Sequence, residues 1–237
     1  MSLLGPLLPS CVRVAESFGD PAAVFLFPEE EKAVERATDR RRREFATVRH
    51  CAHRALTALG RTAEPLVPGP AGEPRWPPTV VGSMTHCEGY RAAAVARGAE
   101  VDSLGIDAEP HAPVSAGLLA RTALPRERRL VAQLTDHAPH MHWDRLLFSA
   151  KESVYKAWYP LTGQWLGFTE AELDISPTTG TFRARLLRFG QGSAGEPLDV
   201  FHGRWNITHG LVLTAVAHLP GLRPAWNTEI PAEHKDQ

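Results

Sequence analysis

The sequence predicts an α+β protein made of two similar α/β halves that pack together and meet near residue 110. Three observations carry this. A helical pattern followed by short apolar, strand-like segments occurs twice along the 237 residues. A Pro- and Gly-rich stretch, Pro65 to Pro78, parts the first helical region from its strands. Hydrophobic residues make up 43% of the chain, enough for a substantial core. No residue-level repeat relates the halves, which are taken as residues 1–109 and 110–237.

The elements follow in chain order. Ala22-Ala-Val-Phe-Leu-Phe27 reads as a buried strand. A helical pattern runs from about Glu29 to Leu59, led by acidic residues, ended by Gly60 and breakable near Asp39. Pro65 to Pro78 reads as an ordered loop. Val80 to Met84, Arg91 to Ala96 and Ser103 to Asp107 have strand character, although the alanines of the second also suit a helix. Helical patterning returns from Ser115 to about Leu134 and again from Trp143 to Tyr159. Leu173 to Ile175, Thr181 to Phe189 and Leu211 to Leu219 read as strands of a closing sheet, and the polar tail after Pro220 as a frayed end.

Composition narrows the function classes. The net charge of -1 gives no general attraction to nucleic acid or anionic membranes, so any phosphate binding depends on local groups. Cys11, Cys51 and Cys87 are odd in number and lack C-x-x-C spacing, which argues against a disulfide framework or zinc site and fits the cytoplasm. The N-terminal stretch has no basic region and meets proline early, so neither a signal peptide nor a membrane span is expected. Only four lysines occur among 26 basic residues, and two of them, Lys151 and Lys156, lie five apart. In an Arg-rich chain that spacing favours a need for compact ammonium donors.

Four constellations bear chemistry. In Gly105-Ile-Asp-Ala-Glu-Pro110 an extended backbone puts Asp107 and Glu109 on one strand face, about 7 Å apart. Two such carboxylates suit magnesium, which binds oxygen ligands together with substrate phosphates. Taken alone, D-x-E is more often a solvated strand end. In Phe148-Ser-Ala-Lys-Glu-Ser-Val-Tyr-Lys-Ala-Trp158, helical spacing sends Leu147, Ala150, Val154 and Trp158 to the core and the Glu152/Lys156 pair to the opposite side. Its aromatic and small neighbours make that side a cleft wall rather than a solvated face. Gly82-Ser-Met-Thr-His-Cys87 offers hydroxyl and imidazole donors at a strand end, or a plain turn. Arg41 and Arg49 are eight apart and share a helix face, able to clamp a terminal phosphate or simply to be solvated. The acidic run Glu29 to Glu31 nearby counts against nucleic acid. His137, His140 and His142 read as loop histidines, and Trp165 and Phe168 as packing aromatics.

In this order the motifs resemble the 4′-phosphopantetheinyl transferases, in particular the larger bacterial type found in siderophore, polyketide and nonribosomal peptide synthesis. That type includes the enterobactin synthetase D component and mycobacterial members. The matching stretches are Arg41 to Arg49, Gly72 to Pro77, Val81 to Cys87, Gly105 to Pro110 and Trp143 to Trp158, followed by Trp165 to Phe168. The resemblance implies two halves related by a pseudo-twofold, with coenzyme A in the cleft between them. It implies transfer of the phosphopantetheine arm to a serine of an apo acyl or peptidyl carrier protein, with adenosine 3′,5′-bisphosphate as leaving group.

It also implies roles for single residues. Arg41 and Arg49 would meet the 3′-phosphate side, and Gly72, Glu73 and Pro74 the adenine. Met84, Thr85 and His86 would contact the nucleotide and phosphates. Asp107, Glu109 and Glu152 would hold magnesium, and Lys151 and Lys156 the phosphates, with Glu152 and Lys156 nearest the reaction. Members of the family often carry lysines before G-E-P; here Val67 to Ala71 has no base, and Arg75 is the substitute at hand. A non-catalytic coenzyme A or nucleotide-binding module would leave the three carboxylates unused. A nucleic-acid-binding protein resting on Arg40 to Arg43 conflicts with the near-zero charge. A monomer is expected, since one chain supplies both cleft walls.

Overall fold

The computed structural model describes residues 2–192, 195 and 197–220. Two antiparallel sheets each carry a twenty-residue helix. The first sheet has the order β1 (Arg13–Phe18), β3 (Tyr90–Arg97), β2 (Val80–Cys87). The second has the order β4 (Ser103–Pro110), β8 (Leu211–His218), β7 (Val200–Thr208), β6 (Thr181–Leu186), β5 (Ala171–Ser176). This is the expected α+β class.

The helical region after residue 28 is two helices, α1 (Pro28–Ala33) and α2 (Asp39–Ala58), broken as the sequence suggests. Thr38 restarts the helix by accepting the Arg41 amide hydrogen bond. α2 buries Cys51, Ala52, Ala55 and Leu56 against Ala15, Ala93 and Val95 of the first sheet. The alanine run of β3 is a strand because both its faces are covered: Ala93 and Val95 by α2, and Ala92, Ala94 and Ala96 by the N-terminal leucines Leu4, Leu7 and Leu8. That second layer continues under Leu104, Ile106 and Ala108 of β4 and Leu211 and Leu213 of β8, so one apolar floor underlies both sheets.

In the second half α3 (Ala116–Thr122) and α4 (Pro125–His137) lead to α5 (Trp143–Thr162). The expected stripe of α5 is buried: Leu147, Ala150, Val154 and Trp158 pack with Leu173, Phe182, Phe201 and Val216. Gly105 lets β4 lie directly on this helix. A Cβ there would stand 1.8 Å from the Ser153 carbonyl oxygen and 2.8 Å from the Ala157 nitrogen.

Several expectations need correction. Residues 22–27 form no strand, because the edge they would occupy is taken by β1, and Phe27 caps α1 and packs edge-on to His53 instead. β1 and β7 were not expected; both alternate weakly, and one face of β7 is recognisable only by Phe201, Gly203 and Trp205. The strand from Thr181 stops at Leu186, leaving Phe189 exposed. β4 extends to Pro110 and pairs with β8 along its whole length, so Asp107 and Glu109 belong to the second sheet rather than the first. The chain after Pro220 lies outside the described residues. Among the described residues no helix is long and apolar enough to cross a membrane.

Candidate active site

The two sheets touch where β2 runs alongside β4, and among the described residues no main-chain ladder joins them. The Ser83 hydroxyl accepts from the Ile106 amide at 3.1 Å, and the Thr85 hydroxyl accepts from the Ala108 amide at 3.0 Å. The constant offset of 23 residues makes the strands parallel. Alternation then divides the strand-end motif. Ser83 and Thr85 serve this seam, whereas Met84 and His86 face the arginines of α2. Thr85 is buried with its hydroxyl engaged by the Ala108 amide and Asp107, whereas Met84 is half-buried and His86 is exposed.

Alternation in β4 sends Leu104, Ile106 and Ala108 into the floor and Gly105, Asp107 and Glu109 towards α5. Asp107 is 4% exposed. Its Oδ1 accepts from Lys156 Nζ at 2.7 Å and from the Thr85 hydroxyl at 3.3 Å. Its Oδ2 accepts from the Ser149 hydroxyl at 2.8 Å, which in turn lies 3.0 Å from Thr214 Oγ1. Lys156 also donates to the Ile106 carbonyl at 3.1 Å. Glu109 accepts from Arg145 at 2.9 Å. Burial and then the neighbouring Asp107 push the Glu109 carboxyl up to about 7, against the pull of Arg145. Glu152 is half-buried and makes no hydrogen bond or ion pair among the described residues. Burial raises its pKa, Lys156 opposes the rise and Asp107 adds to it. The expected Glu152–Lys156 pair is thus broken in favour of Lys156–Asp107.

Along α5 the residues Arg145, Ser149, Glu152 and Lys156 form one polar stripe at spacings of four, three and four. The sequence reading found its last two members and missed Arg145 and Ser149. The signal was present, because the four share a helix face.

Lys151 does not join this stripe. It is 3% exposed, and its ammonium donates to Glu127 at 2.7 Å and to the carbonyls of Phe168 and Ala171 at 2.6 and 2.9 Å. Three donors meet three acceptors, so no N–H is left for a phosphate. Glu127 in turn accepts from the Leu124 and Leu173 amides, and the pair ties α4, α5 and the start of β5 together. Burial lowers the Lys151 pKa, and Glu127 resists the fall.

The cationic wall comes from α2. Arg41 Nη1 lies 2.9 Å from His86 Nε2. Glu44, missed in the sequence reading, sits within 4 Å of Arg40, Arg41, His86 and Arg91 and gathers them. Burial and then Arg41 lower the His86 pKa. Arg49 is buried, stacked 4.0 Å over Phe45, and donates to the Leu66 carbonyl at 2.8 Å and Met84 Sδ at 3.2 Å. Gly72 turns the G-E-P loop at φ +86°. Glu73 closes the loop by accepting the Ala71 amide at 2.9 Å, and Pro68 and Pro74 form an isolated bridge. Arg75 is exposed and its amide donates to Val67, leaving its side chain available. Across the cleft, Tyr155 packs against Trp165 with ring centroids 4.8 Å apart and planes tilted by 54°. Trp165 is 65% exposed, so it lines the cleft rim rather than packing the core. Phe168 does pack, stacked on Phe148 at 5.6 Å.

Among the described residues no three His, Cys, Asp or Glu side chains converge closely enough to hold a metal ion as they stand. The donor chemistry nonetheless suits a hard cation. Asp107, Glu109 and Glu152 offer only carboxylate oxygens, and burial destabilises the charge on two of them, which a cation relieves.

Residues 29–96 match the 4′-phosphopantetheinyl transferase N-terminal domain, and residues 103–207 match the 4′-phosphopantetheinyl transferase superfamily. The chain is 55% identical to 4′-phosphopantetheinyl transferase Svp of Streptomyces mobaraensis, over 98% of this chain and 94% of that protein. It is 46% identical to 4′-phosphopantetheinyl transferase PptT of Mycobacterium tuberculosis, over 91% and 97% of the two chains. It is 45% identical to 4′-phosphopantetheinyl transferase Npt of Nocardia iowensis, over 91% and 100%.

Proposed function

The chain belongs to the 4′-phosphopantetheinyl transferase superfamily, and from that premise we propose how its cleft carries out the reaction. The enzyme transfers the 4′-phosphopantetheine arm of coenzyme A to a serine of a carrier protein. The serine oxygen forms a bond to the phosphorus that bears pantetheine. The phosphoanhydride bond breaks, and adenosine 3′,5′-bisphosphate leaves with the bond's electron pair. Reactions of this kind depend on positioning and on charge stabilisation.

Asp107, Glu109 and Glu152 would hold magnesium, which when bound neutralises charge on the two phosphates. The single observation that best supports this is the position of Asp107, a buried carboxylate held from three sides by Lys156, Thr85 and Ser149. Lys156 keeps one face towards the cleft and supplies N–H to the departing phosphate. Glu152, which makes no hydrogen bond or ion pair among the described residues, orients the water that takes the serine proton. Arg41 and His86 bind the 3′-phosphate side, with Arg49 beneath them. Gly72, Glu73 and Pro74 flank the adenine, and Met84 backs the nucleotide. The enzyme acts as a cytoplasmic monomer: both cleft walls come from one chain, and Cys11, Cys51 and Cys87 are free thiols.

The test is incubation with coenzyme A, magnesium chloride and an apo carrier protein, read by intact mass. Gain of one phosphopantetheine on the carrier, lost when its serine is replaced, is the expected result. An unchanged carrier mass over a panel of fatty-acid, polyketide and peptide carriers would overturn the assignment.

A further inference from the structure

Glu30 is a fully buried carboxylate that the chemistry above does not use. It lies in the first turn of α1. Its Oε2 accepts the Phe27 amide at 3.0 Å, which is all that capping the helix requires. Its Oε1 does more. It accepts His53 Nε2 at 2.9 Å and the Leu66 amide, 36 residues away, at 2.9 Å. His53 and Leu66 are buried as well.

The Leu66 residue is gripped from both sides. Its N–H goes to Glu30, and its carbonyl accepts Arg49 Nε at 2.8 Å. The other end of the Arg49 guanidinium is fixed by Met84 Sδ and the Phe45 ring. A buried guanidinium needs a nearby counter-charge, and Glu30 supplies one for Arg49. Leu66 is also the root of the G-E-P hairpin, since the Arg75 amide donates to the Val67 carbonyl and the Gly69 amide to the Glu73 carbonyl.

We propose that Glu30, seconded by His53, is a positioning residue for the nucleotide end of coenzyme A: it fixes the Leu66 peptide and, through it, sets Arg49 for the 3′-phosphate. The proposal rests on the reading of Arg49 given above. It assigns a cofactor-selecting role to a carboxylate that touches no cofactor.

The experiment compares KM for coenzyme A with KM for 3′-dephospho-coenzyme A in wild type, Arg49→Ala, Glu30→Gln, Glu30→Asp and His53→Asn. Displacement of the G-E-P hairpin affects both co-substrates alike and cancels in their ratio. Arg49→Ala should remove most of the preference for coenzyme A. Glu30→Gln should lose about tenfold of it, the equivalent of one weakened charged hydrogen bond. His53→Asn should lose less, and Glu30→Asp should recover part. If Glu30→Gln raises both KM values equally while Arg49→Ala abolishes the preference, Glu30 is only structural and the proposal fails. If Arg49→Ala leaves the preference intact, the reading of Arg49 itself fails, and the proposal with it. Should Glu30→Gln not fold, His53→Asn is judged by the same ratio.

Discussion

Lys156 Nζ lies 2.7 Å from Asp107 Oδ1, and this contact joins the polar stripe of α5 to the acidic face of β4. Lys156 keeps 26% of its side chain exposed, so its ammonium is anchored by the carboxylate and still open to the cleft. Replacing it with alanine removes a fixed donor from the leaving phosphate. Lys156→Ala should lower kcat by roughly 10²–10³-fold with KM for coenzyme A changed only a few-fold. Steady-state kinetics decide it; a large rise in KM at normal kcat would assign Lys156 to binding instead.

Asp107→Asn keeps the size of the side chain and removes its charge. Transfer should be abolished, and raising magnesium to tens of millimolar, roughly the upper end for weak carboxylate sites, should not restore it. The circular dichroism spectrum should be unchanged. Near-normal turnover in this variant would remove Asp107 from the metal site.

The three internal hydrogen bonds of Lys151 lead us to propose a structural duty in place of phosphate contact, and two variants separate these duties. Lys151→Met strands the Glu127 carboxylate in the core and should cost about 3–5 kcal/mol of stability. The double variant Glu127→Gln/Lys151→Met removes both charges and should be the more stable of the two in urea unfolding. If the single variant were as stable as wild type but inactive, Lys151 would return to the phosphates.

Gly105→Ala should destabilise the fold by about 1–3 kcal/mol or more, since the added methyl meets main-chain atoms of α5 that cannot rotate away. Activity should fall with it, because any relief moves Asp107 from Lys156. Thermal melting and the mass-gain assay on one sample check both.

Glu30 predicts acid sensitivity. Burial alone would raise its pKa, but the His53, Leu66 and Phe27 hydrogen bonds outweigh burial and leave it below its ordinary value of 4.5. A depressed carboxyl stabilises the fold fully above the unfolded value and loses that contribution as pH falls through the folded one. Melting temperature should therefore drop below pH 4.5 more steeply in wild type than in Glu30→Gln. Parallel curves would show that Glu30 carries none of the acid response.

The fold class, the break before α2 and the core stripe of α5 were legible because each rests on local periodicity or capping. β1 and β7 were not, because their alternation is weak and pairing with distant strands decides them. In the site, Asp107, Glu109 and Lys156 could be picked out by residue type and spacing. The partners that hold them could not be read as a set: Ser149 comes from a helix, Thr85 from the other half, and Thr214 from a strand more than 100 residues after Asp107. Lys151 follows Leu147 by four and precedes Val154 by three, so helical spacing already puts it on the buried side of α5. Its partner there, Glu127, comes from another helix, α4, and could not be read from that spacing.

The Ser83 and Thr85 hydroxyls give the joint between the halves an unusual vulnerability. A main-chain ladder is indifferent to sequence, whereas the Ile106 and Ala108 hydrogen bonds of this joint exist only while those two side chains do. Thr85→Val would delete the acceptor for the Ala108 amide and the donor to Asp107 in one step, leaving almost the same shape behind. Mechanical integrity between the lobes and the electrostatics of the acidic strand are therefore inherited together, at a single codon.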